Sequence, residues 1–187
     1  MSEQDKNKKY HIGMYGGKFL PFRLGHRYCM EYAARECEIL YVIMFYGGKE
    51  EEDILKNNPR DWLSVELRKK KLEDLCHEIN VTFENEISKE KNPTGTICII
   101  PKCVNISALR LPDGSEDWDA ETPLVRRICG NKLDAVYSSE ISYGEYFSRA
   151  YPEAVHRLVD VPRIHYPISG TKIRGFSNDE EIKKWMV

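Results

Sequence analysis

Residues 10–26 read YHIGMYGGKFLPFRLGH. The first part of this stretch, 10–15, is an apolar run that predicts a strand buried on both faces, as in a parallel sheet. Gly16 and Gly17 follow the strand and allow the backbone to approach a ligand closely, and a helical pattern begins soon after them. A strand, a glycine-containing turn and a helix in this order predict an anion site at the helix N-terminus, with His26 in the first helical turn.

The rest of the chain alternates between helix and strand patterns. The first helix is predicted from Gly25 onward, because apolar residues recur there at steps of three and four. Its predicted buried residues are Cys29, Met30, Ala33, Ala34 and Cys37. Further strands are predicted over 39–45, 96–100, 135–137 and 155–159, and further helices after Asp61, over 118–127 and over 143–150. This alternation predicts βαβ units, and therefore a single Rossmann-like α/β domain with a doubly wound, mainly parallel sheet.

The region between the second and third predicted strands is rich in charge. After the break at Gly47 and Gly48, residues 49–58 predict a solvated and mobile connection. Asp61 is predicted to cap the helix that follows, and the basic residues 68–71 are predicted to face solvent or a phosphate. The leucines predicted to form the packed face of this helix are Leu63, Leu67, Leu72 and Leu75.

The size and composition of the chain fit one domain. Its 187 residues are 41% hydrophobic and 31% charged, and a chain of this size buries roughly 70% of the surface that it exposes when unfolded. Residues 1–9 are polar and predict a flexible leader before a nucleotide-binding domain over 10–187. The first ten residues lack the apolar segment of a signal peptide, and the sequence has no uninterrupted apolar span of ~20 residues. We therefore expect a cytoplasmic protein without a membrane partner.

Charge and cysteine content narrow the expected partners. The net charge of -2 shows no excess of basic residues, which a general nucleic-acid binder needs, so no nucleic-acid partner is expected. The six cysteines contain no Cys-x-x-Cys pair and mostly lie in apolar runs, which indicates reduced core residues. His11, His77 and His156 have no metal-like spacing and are predicted to be structural. The sequence does not decide whether the protein forms a homo-oligomer.

A second motif of phosphate-binding character lies far along the chain. Residues 168–174 read ISGTKIR, with hydroxyl and cationic side chains close together, and Ser169 can cap a helix that begins there. In an open parallel sheet, ligands bind beyond the carboxyl ends of the strands, where the loops after Tyr15, Tyr137 and Val159 would emerge. The two motifs are therefore expected at one edge of the sheet, and together they indicate nucleotidyl-transfer chemistry.

Four motifs follow one another in a characteristic order. They are GKFLPFRLGH at 17–26, SSE at 138–140, LVD at 158–160 with Arg163, and SGTKIR at 169–174. This ordered set resembles the HxGH-type nucleotidyltransferases, and within them the adenylyltransferase domain of the NadR-type nicotinamide-nucleotide adenylyltransferases. The resemblance runs from Ile12 to Arg174. The PDG turn at 112–114, followed by Trp118, is similar to the segment that in this family brings a tryptophan against the nicotinamide ring.

The resemblance implies a reaction and a set of site residues. The implied reaction is transfer of AMP from ATP to nicotinamide mononucleotide, which forms NAD and pyrophosphate. His26, Lys18 and Arg174 would be the catalytic residues, with His26 hydrogen-bonded to the ATP phosphates in the transition state. The implied ATP-binding residues are Gly16, Gly17, Phe19, Arg23, Gly25, Ser138, Ser139, Ser169, Thr171 and Arg174.

The acceptor and metal expectations also follow from the resemblance. Trp118 would stack on the pyridine ring, Arg163 would contact the acceptor phosphate, and Glu140 would orient a ribose hydroxyl. Mg²⁺ would be bound through the ATP phosphates, so no metal site made by the protein is expected. The expected partners are therefore ATP and a small phosphorylated acceptor.

One position departs from the family pattern. Arg23 stands where the family has a histidine or, in relatives, a threonine. Arginine retains a hydrogen-bond donor and adds a permanent charge, but its long planar head does not reproduce imidazole geometry. Three alternatives therefore stay open: a cytidylyltransferase, an adenylyltransferase for another phosphorylated metabolite, and a catalytically weak nucleotide-binding sensor.

Overall fold

The structure, a computed structural model, describes residues 9–89, 98–130 and 132–187. In these residues a parallel sheet of five strands forms the centre of the molecule. The strands are β1 (Tyr10–Gly17), β2 (Cys37–Tyr46), β3 (Cys98–Asn105), β4 (Ala135–Ser138) and β5 (Val155–Leu158). They lie in the order β3-β2-β1-β4-β5, and each neighbouring pair is parallel. The predicted leader, apart from its last residue, and residues 96–97 of the predicted third strand lie outside the described residues.

Helices connect and cover the strands. They are α1 (Leu24–Glu36), α2 (Lys49–Asn57), α3 (Val65–Ile87), α4 (Trp118–Cys129), α5 (Gly144–Ala150), α6 (Gly170–Arg174) and α7 (Asp179–Lys183), with short 3-10 helices over Asp61–Leu63 and Ile141–Tyr143. Residues of α1 and α3 pack on one face of the sheet, and residues of α4 and α5 pack on the other. The strand order reverses between β1 and β4, so the predicted doubly wound α/β fold is confirmed.

Strand β1 is buried on both faces, as its apolar composition predicts. Met14 is 3% exposed and packs in the same cluster as Val125 of α4, whereas Tyr15 is 6% exposed and packs in the cluster that contains Ala33 of α1. Because β1 lies between β2 and β4, its carboxyl end opens at the point where the strand order reverses. Ligands bind at this point in open α/β sheets.

The periodicity of the first helix is also confirmed, with one change at its end. The buried residues of α1 are Cys29, Met30, Ala33 and Ala34. Cys37 is buried as well, but it is the first residue of β2 and not part of the helix. The helix therefore ends directly in a strand, without an intervening loop.

The charged segment after β2 differs from its prediction. The prediction of a mobile loop over 49–58 is wrong, because Lys49–Asn57 forms α2. A buried ion pair fixes this helix: Glu51 accepts a hydrogen bond from Arg68 of α3, and each of these residues is 1% exposed. The second carboxylate oxygen of Glu51 accepts the N–H of Gly47 at 2.8 Å. The residue that anchors α2 is thus itself charged, so a search for apolar periodicity does not find the helix.

The start of α3 also differs from its prediction. Ser64 caps the helix, with its hydroxyl oxygen accepting the N–H of Leu67 at 3.4 Å, whereas Asp61 begins a short 3-10 helix. Leu63 is buried in that 3-10 helix and Leu67 is 49% exposed, so neither belongs to a packed face of α3. Leu72 and Leu75 are buried as predicted, but so is Arg68, which was predicted to face solvent or a phosphate.

The last segment of the chain packs against the first motif. Ile182 of α7 is buried in a cluster with Ile168 and Ile173, next to Trp185 and Met186. The carbonyl oxygen of Trp185 accepts the N–H of Leu24 at 2.9 Å, and Met186 forms an isolated bridge with Arg23. This segment therefore holds the start of α1 in place.

None of the cysteines of the described residues forms a disulfide bond, and most of them are buried as predicted. Those that are buried are Cys29, Cys37, Cys76 and Cys129, whereas Cys98 is half-buried and Cys103 is exposed. Among the helices that the structure describes, none combines the length and the apolar character needed to cross a membrane.

Candidate active site

A cavity of about 330 Å³ opens beyond the carboxyl end of β1. Its walls come from the carboxyl ends of β1 and β2, the loop between β1 and α1, α2, the turn before α4 with the first residues of α4, α5, and α6 with the loop that leads into it. Predicted site residues that line it are Gly16, Gly17, Lys18, Phe19, Arg23, His26, Trp118, Arg163, Ser169, Thr171 and Arg174. The two phosphate-type motifs therefore do meet at one edge of the sheet.

The side chain of His26 has a fixed tautomer. Its Nδ1 accepts the backbone N–H of Arg23 at 3.2 Å, and its ring stands edge-on to Phe19 with centroids 5.0 Å apart. Burial, and then the positive charges of Arg23 and Arg163, hold the pKa of His26 well below its usual value. The ring is therefore neutral at pH 7, and its one N–H is on Nε2. A neutral imidazole of this kind can donate a hydrogen bond to a phosphate oxygen.

Arg23 connects the two motifs. Its Nη1 donates to the carbonyl oxygen of Ile168 at 2.9 Å, directly before the residue that caps α6. The guanidinium lines the cavity and remains charged at neutral pH, although burial lowers its pKa. The charge of Arg23 therefore lies in the cavity lining, and the same side chain has a structural contact.

The start of α6 packs tightly on the loop that follows β1. Ser169 caps α6, as predicted, by accepting the N–H of Lys172 at 3.1 Å. A Cβ atom on Gly170 would lie 2.8 Å from the carbonyl oxygen of Leu20, so glycine is required for this approach. Arg174 donates to the same carbonyl oxygen and, at 3.1 Å, to the hydroxyl of Thr171. The predicted cationic and hydroxyl groups are therefore held together on one wall.

Lys18 is engaged by two carboxylates that the sequence motifs did not indicate. Its ammonium donates to Glu50 of α2 at 2.5 Å and to Glu116 at 2.7 Å. Burial opposes the charged form of Lys18, but these hydrogen bonds outweigh it and raise its pKa. Glu50 was missed because its helix was interpreted as a loop, and Glu116 follows the turn at 112–114 without a motif of its own. A phosphate that binds Lys18 must compete with both carboxylates.

Another part of the cavity lining is aromatic and acidic. Trp118 is 37% exposed, and the rings of Tyr143 and Tyr146 stand edge-on to it, with centroids 5.3 Å away in each case. The hydroxyl of Tyr146 donates to the carbonyl oxygen of Trp118 at 2.9 Å. Glu121, one helical turn after Trp118, also lines the cavity and is 8% exposed. Trp118 is therefore part of an open, flat surface and not of the core.

Arg163 reaches the cavity from the loop after β5. This residue has a positive φ of 52°, and its N–H donates to the carbonyl oxygen of Asp160 at 2.7 Å. Its guanidinium donates to Glu140 at 2.6 Å. The carboxylate of Glu140, predicted to orient a ribose hydroxyl, thus holds Arg163 in position.

Three predicted ATP-binding residues lie outside the cavity lining, and they are Gly25, Ser138 and Ser139. Ser138 is buried and hydrogen-bonded to Nε2 of His156 at 2.8 Å, which supports a structural role for that histidine. Ser139 contacts the thiol of Cys29 at 3.3 Å. The side chains of these serines are therefore engaged within the protein.

A second, more open cavity of about 730 Å³ adjoins the first. It is lined by α2, by the turn before α4 and by α6, and it shares Glu50, Glu116, Trp118, Thr171 and Arg174 with the first cavity. In the part of the chain that the structure describes, no group of three or more histidine, cysteine or acidic side chains is arranged to hold a metal ion.

Comparison with solved structures finds this fold in two crystal structures of NadR protein. One is a complex with NAD and AMP-PNP, with a TM-score of 0.56, 19% sequence identity, and coverage of 96% of this chain and 46% of that chain. The other is a complex with NR, with a TM-score of 0.51, 20% identity, and coverage of 95% and 45%. The chain thus spans slightly under half the length of these NadR chains. Comparisons with protein-family models and with curated proteins gave no match. The resemblance predicted from the motifs is confirmed at the level of the fold.

Proposed function

We propose that this protein is a nucleotidyltransferase that transfers AMP from ATP to nicotinamide mononucleotide, forming NAD and pyrophosphate. The observation that carries the proposal is that one cavity brings together two chemically different sets of side chains. One set consists of hydrogen-bond donors suited to phosphate, among them His26 and Arg174, and the other includes the flat, exposed surface of Trp118. The fold shared with NadR structures that contain NAD, AMP-PNP or NR is consistent with this assignment.

The proposed reaction needs positioning and charge neutralisation more than covalent chemistry. An oxygen of the acceptor 5′-phosphate attacks the α-phosphorus of ATP, the bond from that phosphorus to the bridging oxygen breaks, and its electron pair leaves with pyrophosphate. The side chains of this site offer donors for the charge on the phosphate oxygens, which is the main way in which proteins accelerate phosphoryl-type transfers. No nucleophilic side chain is needed.

His26 is the central donor in this proposal. Its Nδ1 is occupied by the Arg23 N–H, so Nε2 carries the hydrogen that can bind a phosphate oxygen. Because burial, and then the charges of Arg23 and Arg163, lower the pKa of His26 and keep the ring neutral, the donor is present over the whole neutral pH range. The incoming negative charge of a triphosphate would strengthen this hydrogen bond.

The triphosphate is proposed to lie against α6 and Lys18. Arg174 and Thr171 line the cavity, and Arg174 contacts the carbonyl oxygen of Leu20. Lys18 lines the same cavity, and its partner Glu50 interacts electrostatically with Arg174. Binding of the triphosphate would require Lys18 to exchange at least one carboxylate for a phosphate oxygen. Mg²⁺ would be bound through the phosphates and would neutralise part of their charge.

The experiment that tests the proposal is pyrophosphate release by the purified protein with Mg²⁺. ATP or CTP is paired with nicotinamide mononucleotide or with other phosphorylated acceptors, and the product is identified by mass. We expect release with ATP and nicotinamide mononucleotide. His26→Ala should lower kcat by about 10²–10³, the typical cost of removing one transition-state donor. His11→Ala is the matched control, because His11 is an exposed histidine paired with Glu38, and it should leave the rate unchanged.

Other outcomes would redirect the assignment. Release only with CTP, or only with another acceptor, would retain the reaction type and contradict the proposed substrate. ATP binding without turnover on any acceptor would favour a nucleotide-binding sensor, and Arg23 is the observation that supports this second candidate. Arg23→His restores the family residue, so a gain in turnover with this variant would contradict the sensor assignment.

A further inference from the structure

Glu121 is a largely buried residue whose carboxyl group opens onto the cavity without a protein partner. It lies in the first turn of α4, is 8% exposed and lines the cavity. Within the described residues, its carboxyl oxygens make no hydrogen bond and no ion pair, and they open onto the cavity, because every fully buried side-chain nitrogen or oxygen there has a hydrogen-bond partner. Buried carboxyl groups are normally paired, because an unpaired one loses its hydration without compensation. An unpaired carboxyl that faces a cavity therefore indicates that a ligand supplies the partner.

The surroundings of Glu121 favour a cationic or hydrogen-donating ligand. Acidic groups next to it are Glu116 and Asp117, and the nearest cation is Lys18, whose ammonium is already bound by Glu50 and Glu116. The phenol of Tyr146 in α5 lies near it. Tyr151, the residue that follows α5, lines the same cavity. The arginines that line the cavity belong to the phosphate motifs and the loop after β5. The cavity surface around Glu121 is thus flat and negatively charged.

A nicotinamide ring fits these properties. In a mononucleotide the ring is a pyridinium cation, and its carboxamide carries two N–H donors. The corresponding nicotinate ring carries a carboxylate in place of the amide, so it offers no N–H donor and adds a negative charge. Trp118 lies three residues before Glu121 on the same helix, and side chains at this spacing are neighbours.

We propose that Glu121 selects the base of the acceptor: its carboxylate accepts a hydrogen bond from the carboxamide N–H of a pyridinium ring stacked on Trp118, and repels a nicotinate carboxylate. This inference rests on the proposed function. It assigns Glu121 to substrate discrimination and not to the chemical step. Selectivity of this kind combines an attractive contact with one substrate and a repulsive contact with its analogue.

The charge of Glu121 changes with pH in the neutral range, so its preference between the two acceptors should change as well. Burial first, and the charge of Glu116 second, raise the pKa of Glu121 to about 7. Below that pH the carboxyl is neutral and can itself donate a hydrogen bond to a nicotinate carboxylate. Above it, the carboxylate favours the amide. The preference for nicotinamide mononucleotide should therefore increase from pH 6 to pH 8, and titration of the acceptor phosphate cancels because both acceptors carry it.

The test compares kcat/KM for nicotinamide mononucleotide and nicotinate mononucleotide at pH 6 and pH 8. For the wild type we expect the ratio to rise about tenfold, the discrimination that a hydrogen bond to a charged group supports. Glu121→Gln should give a ratio that is about tenfold lower than the wild type at pH 8 and independent of pH. Asp119→Asn is the matched control, because Asp119 is an exposed carboxylate on the same turn, and it should behave as the wild type.

The possible failures are distinguishable. Turnover with both acceptors, with the same ratio and the same pH dependence in Glu121→Gln and wild type, would overturn the role of Glu121 and leave the proposed function intact. If Glu121→Gln does not fold, the wild-type protein alone decides, because a ratio that is flat from pH 6 to pH 8 contradicts the inference. Turnover with neither pyridine nucleotide would overturn the proposed function, and this inference with it.

Discussion

Arg174 donates a hydrogen bond to the carbonyl oxygen of Leu20, across 154 positions of the sequence. This contact joins the last turn of α6 to the loop that follows β1, so the two phosphate-type motifs form a single wall. Arg23 makes the reciprocal connection, from the loop before α1 to the carbonyl oxygen of Ile168. The geometry of the cavity therefore depends on how closely these two segments approach.

A substitution at Gly170 tests the close approach of α6 to the loop that follows β1. A Cβ atom at Gly170 would lie 2.8 Å from the carbonyl oxygen of Leu20, closer than real Cβ contacts. We expect Gly170→Ala to lower the free energy of unfolding by about 1–3 kcal/mol, because the backbone must shift, and to weaken ATP binding. Urea unfolding and calorimetric titration with ATP measure the two effects.

Gly175 provides the control for Gly170. It ends α6 with an ordinary helical φ of -77°, and the nearest atom to its added Cβ would be 3.4 Å away. Gly175→Ala should therefore change stability by less than about 0.5 kcal/mol. Equal effects of the two substitutions would contradict the importance of the Leu20 contact.

The buried ion pair between Arg68 and Glu51 is predicted to be the main anchor of α2. Arg68 also donates to the carbonyl oxygens of Leu63 at 2.9 Å and Lys18 at 2.7 Å. Arg68→Met should lower the free energy of unfolding by about 3–5 kcal/mol, because it leaves a buried carboxylate without its partner. The measurement is urea unfolding at pH 7.

Lys70→Met is the matched control for Arg68→Met. Lys70 lies on the same helix but is exposed, and its ion pair with Asp74 is a surface pair. Its removal should cost less than about 1 kcal/mol. A similarly small effect of Arg68→Met would show that α2 does not depend on the buried pair.

The fold was predictable from the sequence where burial and hydrophobicity coincide. Strand β1 and the buried face of α1 were found from apolar residues alone, since their neighbours in the structure are apolar too. The segment 49–58 was misinterpreted because the residue that anchors it, Glu51, is charged and its partner lies in another helix. Pairing between distant charges leaves no periodic signal in either segment.

The candidate site, like the fold, could be predicted only in part from the sequence. Motif residues such as His26 and Ser169 line the cavity, as expected from their order in the sequence. Glu50, Glu116 and Glu121 were not found, because each is an ordinary acidic residue until the fold brings it to the cavity. Ser138, in contrast, belongs to a motif, but its hydroxyl is engaged by His156.

Glu121 also predicts a pH dependence of stability. Its pKa is raised from an ordinary value of 4.5 to about 7 in the folded protein, so folding favours the protonated carboxyl. The free energy of unfolding contributed by this group is therefore retained below about pH 4.5 and lost as the pH rises to about 7. Integrated between pH 5 and pH 8, the loss amounts to roughly 2–3 kcal/mol.

Glu121→Gln should remove that loss. Relative to the wild type, we expect the variant to gain roughly 2–3 kcal/mol of unfolding free energy between pH 5 and pH 8, as measured by urea unfolding at both values. Asp119→Asn, which removes an exposed carboxylate on the same turn, should show no such gain. A stability difference between Glu121→Gln and wild type that does not change with pH would contradict the raised pKa.

The contact between Lys18 and Glu50 is predicted to weaken nucleotide binding. Lys18 must release a carboxylate before it binds a phosphate, and the Glu50 side chain, 65% exposed, is the more accessible partner. Glu50→Gln should therefore tighten the Kd for ATP about 2–5-fold, which corresponds to the typical strength of an exposed ion pair. Glu52→Gln is the control, because Glu52 lies on the same helix but pairs with Arg110, and it should leave the Kd unchanged.

A double-mutant cycle with Lys18→Met separates this mechanism from a general change in charge. Lys18→Met should weaken ATP binding by about tenfold, the effect of losing one charged hydrogen bond. In the Lys18→Met background, Glu50→Gln should no longer tighten binding, because the competition that it relieves requires the ammonium. If Glu50→Gln improves the Kd equally with and without Lys18, long-range repulsion between Glu50 and the triphosphate explains the gain, and the carboxylate does not act by occupying Lys18.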